Sequence, residues 1–76
     1  MTTYELLFKA REAMKWACLA DEFAKATQTL ADVKLAARRM ALAAKKLRAA
    51  GEDEVAVDFE KRGEYLRAWA KRHAND

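Results

Sequence analysis

The sequence predicts an all-α protein, a three-helix antiparallel bundle that pairs as a dimer. Three observations lead there. Alanine is the commonest residue, 18 of 76, with two glycines and no proline, and alanine is the best helix former while proline is the worst. Apolar residues recur at alternating three- and four-residue steps, the signature of a helix seam. Thr27 to Thr29 and Gly51 are the weak points of that pattern, and they divide the chain into segments of similar length, about 3–27, 30–50 and 52–73, as an antiparallel bundle requires. Residues 1–76 make one helical domain, and the polar tail at 74–76 is expected to fray.

The first helix is expected to start at Thr2 or Thr3. Thr2-x-x-Glu5 is a capping-box pattern, in which hydroxyl and carboxylate satisfy free backbone N–H groups. Leu6, Ala10, Ala13, Ala17, Ala20 and Ala24 then form a stripe of mostly small residues that lets a neighbouring helix approach closely. Phe8, Trp16, Leu19 and Phe23 fall on a different side. Their helical register, like that of Phe59 and Trp69, assigns Trp16 and Phe23 to a core. Cys18, between Ala17 and Leu19 in sequence, reads as a buried and inert thiol.

The second helix carries the most information. AARRMAL at 36–42 is followed by AAKKLRA at 43–49, a near-duplication at seven residues. At 100° per residue, Leu30, Val33, Ala37, Met40, Ala44 and Leu47 form one seam. Leu35 and Leu42 fall almost opposite it, between Lys34, Arg38 and Lys45 on one flank and Arg39 and Lys46 on the other. In one reading these leucines cover the edge of a core under Lys and Arg stems. In the other, Leu35, Leu42, Arg38, Arg39, Lys45 and Lys46 form an interface for a partner or a second copy, the cations selecting an acidic rim.

Thr29 can cap the second helix, with Asp32 favourable in its first turn. A competing reading joins the first two helices into one over 3–50, since the residues from Trp16 to Leu47 keep one unbroken rhythm. Such a helix would be roughly 70 Å long. It could not bury itself, and with helix 52–73 folded back it would be an obligate dimer. The break is preferred because uncapped helices beyond about 25 residues are unusual in globular domains.

Gly51 follows a basic last turn and precedes Glu52, Asp53 and Glu54, a helix stop and a helix start that suit the two dipole ends. In the third helix Val55, Phe59, Leu66, Trp69 and Ala70 share an apolar face, and Gly63 on that face points to close approach of a neighbour.

Composition limits the chemistry. The chain has one cysteine and one histidine, so no intramolecular disulfide, no zinc-ligand spacing and no bound cofactor are expected. A core this small must be supplemented by tight helix packing or oligomerisation. No apolar run suits a membrane span and the N-terminus lacks a signal-peptide pattern, so a reducing cytoplasm is expected. Residues 31–50 carry six basic groups and one acidic. A folded-back third helix is expected to set Glu52, Asp53, Glu54, Asp58 and Glu60 beside the basic end of the second.

His73 has no nucleophile or carboxylate at catalytic spacing, so no enzyme is expected. The sequence instead suggests a regulator, adaptor or inhibitor, of a kind phages or mobile elements carry, that binds another protein through a helical face. A nucleic-acid-binding accessory protein using the basic helix at 34–48 is the alternative.

Overall fold

The computed structural model describes residues 2–74. These form three helices and no strand: α1 (Thr3–Thr27), α2 (Leu30–Ala49) and α3 (Asp53–Arg72). The Thr2 hydroxyl accepts the Glu5 backbone N–H at 3.1 Å and starts α1. Of the tail expected to fray, Ala74 lies in a turn, while 75 and 76 lie outside the described residues.

The chain does break between α1 and α2, so the single helix over 3–50 does not form. Gln28 takes a left-handed conformation, φ 52° and ψ 31°, and its N–H still reaches the Ala24 carbonyl at 2.8 Å. Thr29 is extended, and its Oγ1 accepts the Asp32 N–H at 3.3 Å. Both Thr27 and Thr29 hydroxyls donate to Asp32 Oδ2, at 2.6 Å and 2.7 Å. These two hydrogen bonds hold the Asp32 carboxyl below its ordinary pKa. Two threonines and one aspartate therefore supply a joint that contains no glycine.

The second turn uses Gly51 at φ 82°. Glu52 N–H reaches the Leu47 carbonyl at 2.9 Å and Gly51 N–H reaches that of Arg48 at 3.0 Å. That bond pair is a Schellman stop. It ends α2 at Ala49, and α3 starts at Asp53, so each helix is one residue shorter here than the sequence suggested.

α2 sits between the other two. Its seam of Val33, Ala37, Met40, Ala44 and Leu47 is buried, widened by Ala36 and Ala43. α1 contributes Ala10, Ala13, Ala17 and Ala24, and α3 contributes Ala56, Leu66 and Ala70. Ten of the fourteen buried apolar side chains among the described residues are thus alanines, which brings the helix backbones close together. Gly63 packs against α2: a Cβ there would stand 3.4 Å from that of Met40 and 3.7 Å from the Ala37 carbonyl oxygen, in ordinary van der Waals contact. No Cα of α1 comes within 8 Å of one in α3. Larger side chains, notably Phe59 and Met14, fill the interior where these helices diverge.

Two expectations are corrected. Trp16 and Phe23 are not core; they are 55% and 61% exposed. The alanine face of α1 meets the other helices, and no described residue covers the flank of α1 that carries these two side chains. Cys18 is exposed as well, because one residue on from Ala17 it turns about 100° away from the buried stripe. Phe59 and Trp69 are half-buried against the core, as their register implied.

A left-handed residue bearing a Cβ is strained by about 1 kcal/mol or more. Gln28→Gly is therefore expected to stabilise the protein by about 0.5–1 kcal/mol, read as a higher urea midpoint with unchanged slope.

Candidate interaction surface

The two leucines opposite the α2 seam are surface residues, Leu35 at 39% and Leu42 at 41% exposure. Arg38, Arg39 and Lys45 beside them are exposed and Lys46 is half-buried. None of these four cations forms an ion pair with another described residue. They are available to charges outside the chain.

Across from them, α1 carries Phe8, Trp16, Leu19 and Phe23, all about half exposed. Trp16 lines one groove together with Leu42, flanked by Glu12 and Lys9 from α1 and by Arg39 and Lys46 from α2. Trp16 of α1 and Leu42 of α2 thus adjoin; Phe23 and Leu35 stand seven residues from them, on the same side of each helix. Sequence reasoning treated the two stripes separately and placed the aromatics in the core. The available signal was their position about 100° around the helix from the alanine stripe.

A different groove runs between α2 and α3. Lys34 and Arg38 line one wall, Arg67 and Lys71 the other, and Ala37, Ala41, Ala70 and Ala74 the floor. No carboxylate lines it. Further along the same pair of helices, Arg48 donates to both carboxylate oxygens of Glu60 at 2.9 Å and 2.6 Å, with Asp53 at 3.7 Å. The guanidinium holds the Glu60 carboxyl below its ordinary range, and Glu60 holds Arg48 up. Of the five acidic residues expected beside the basic end of α2, Asp53 and Glu60 make ion pairs there; the neutralisation is local.

The most buried charge serves the fold. Asp21 is 8% exposed and accepts two hydrogen bonds from Arg62, at 3.0 Å and 2.8 Å, with Lys25 at 3.9 Å. This bidentate pair ties α1 to α3 where their backbones stay apart. Asp21 keeps the Arg62 guanidinium pKa raised, against the opposing effect of burial. Arg62 also lies 4.9 Å from the Tyr65 ring centroid, and His73 stacks on Trp69 at 4.0 Å.

Among the described residues, no three His, Cys, Asp or Glu side chains cluster in a way that could hold a metal ion. No helix there is long and apolar enough to cross a membrane. Comparison with protein-family models, with curated proteins and with solved structures found no match.

Arg62→Ala removes both hydrogen bonds from a nearly buried carboxylate. It is expected to destabilise the fold by about 2 kcal/mol in urea unfolding.

Proposed function

We propose that the chain is a non-enzymatic protein–protein interaction module, a regulator, adaptor or inhibitor built as an antiparallel three-helix bundle and working in the cytoplasm. The observation that carries this reading is the placement of large apolar side chains. Trp16, Leu19, Phe23, Leu35 and Leu42 are between 39% and 61% exposed, while alanines fill the interior. A monomer has little physical reason to keep such side chains in water along one face, and contiguous exposed patches of this kind mark binding sites. Aromatic side chains are also the usual anchors of protein interfaces. The unpaired Arg38, Arg39, Lys45 and Lys46 favour a partner surface with an acidic rim.

Leu35→Glu combined with Leu42→Glu is expected to leave helical content near wild type and to abolish association through this face, read by circular dichroism and light scattering. Unfolding of that variant would make both leucines core residues and end the reading.

A second reading, nucleic-acid binding, is favoured by the carboxylate-free groove between Lys34, Arg38, Arg67 and Lys71. On that reading, changing Arg38, Arg39, Lys45 and Lys46 to Ala removes binding to a random-sequence duplex, and wild-type affinity falls steeply with added salt. Absence of binding by the wild type at low salt would exclude it.

A further inference from the structure

We infer that the face formed by α1 and α2 is covered by a second copy of the chain, with α1 of one protomer lying over α2 of the other. The inference rests on the interaction-module reading above and names its occupant.

Three observations select this arrangement. The first is the match of levels along the face. Trp16 and Leu42 line one groove. Seven residues on from Trp16 is Phe23, and seven residues back from Leu42 is Leu35, each a shift of about 10 Å along its helix. With α2 running back along α1, Phe23 and Leu35 stand at a second level as Trp16 and Leu42 do at the first. A two-fold axis parallel to the helices and lying in the interface preserves both levels. It sets Trp16 over the partner's Leu42 and Phe23 over the partner's Leu35, and the reverse contacts follow by symmetry.

The second observation is charge. The α2 half of the face carries Arg39 and Lys46, with Arg38 and Lys45 at its edge toward α3; its one carboxylate, Asp32, stands at the far end and is taken up by the Thr27 and Thr29 hydroxyls. The α1 half carries Glu5 and Glu12, with Lys9 at its edge. A dimer that stacked α2 on α2 would bring Arg39 and Lys46 against their own copies. Laying α1 on α2 instead brings Glu12 to the partner's Lys46 and keeps the two basic stretches apart.

The third is area. From their exposures, the five large side chains of the face offer roughly 500 Å² per chain. Two such faces reach about 1,000 Å² before any rim residue is counted, which is where specific interfaces begin. The groove between α2 and α3 meets this face only at its edge, through Arg38, and stays open toward α3, available to an acidic partner.

The test exchanges charges between the two halves of the face. Light scattering of the wild type over a wide concentration range is expected to give twice the chain mass of 8.6 kDa. Glu12→Lys and Lys46→Glu, each alone, place like charges across the interface and are expected to weaken the dimer at least about tenfold. An equimolar mixture of the two variants restores opposite charges at both contacts and is expected to recover the double mass as a heterodimer. Recovery in the mixture separates a contact between chains from one within a chain.

A wild type that keeps the single-chain mass at every concentration overturns the inference. So does a dimer that both variants leave intact, or a mixture that does not recover. The interaction-module reading fails separately, if Leu35→Glu with Leu42→Glu destroys helical content. A monomeric wild type whose double leucine variant stays helical removes the second copy alone.

Discussion

Close approach of helices through alanine is the constraint on which this structure depends. Small side chains let α1 and α3 settle against α2, and Gly63 of α3 packs over Met40. The same choice limits what burial contributes, because an alanine removes far less apolar surface from water than a leucine or phenylalanine. Among the described residues, few large side chains are sealed almost completely inside, chiefly Leu47, Met40 and Leu66. The apolar residues that could add most to stability stand on the outer side of α1 and α2. Interior and exterior are thus two consequences of one packing decision: a thin core, and a face whose burial needs another molecule.

Polar contacts secure what the small core leaves loose. Asp21 and Arg62 bridge α1 and α3 where no backbone contact does. Arg48 and Glu60 fasten the end of α2 to α3, at an exposed position where water screens the attraction. Two different stops then set the direction of each helix. Gly51 supplies a positive φ without steric cost, while Gln28 adopts one under strain and is held by the threonine and aspartate contacts around it.

Much of the fold was legible in the sequence, since it follows from period and caps. The seam from Leu30 to Leu47, the small-residue stripe of α1, the Thr29–Asp32 cap and the Gly51 stop depend on residues close in sequence, and each is where local chemistry puts it. Trp16 and Phe23 were misjudged for a physical reason. Their rhythm continues smoothly into Leu30 and Val33 when counted by residue number, but the left-handed Gln28 ends the helix between them. Register counted across a break carries no information about which faces coincide. The outward position of Leu35 and Leu42 was readable as one of two possibilities. Their adjacency to Trp16 was not, because it joins positions 26 residues apart through the packing of two helices. The Asp21–Arg62 pair was hidden similarly, since nothing local to either residue names the other.

The central claim is that this chain keeps its small residues for its own core and its large ones for a shared interface. Its folded state should then be completed by association. The most direct measurement is the thermal unfolding midpoint followed by circular dichroism at increasing protein concentration. A midpoint that climbs steadily with concentration is the predicted result, because mass action stabilises a fold that dimerises. A midpoint that stays constant over the whole range would contradict the claim, and would mean that the alanine core alone holds the protein together.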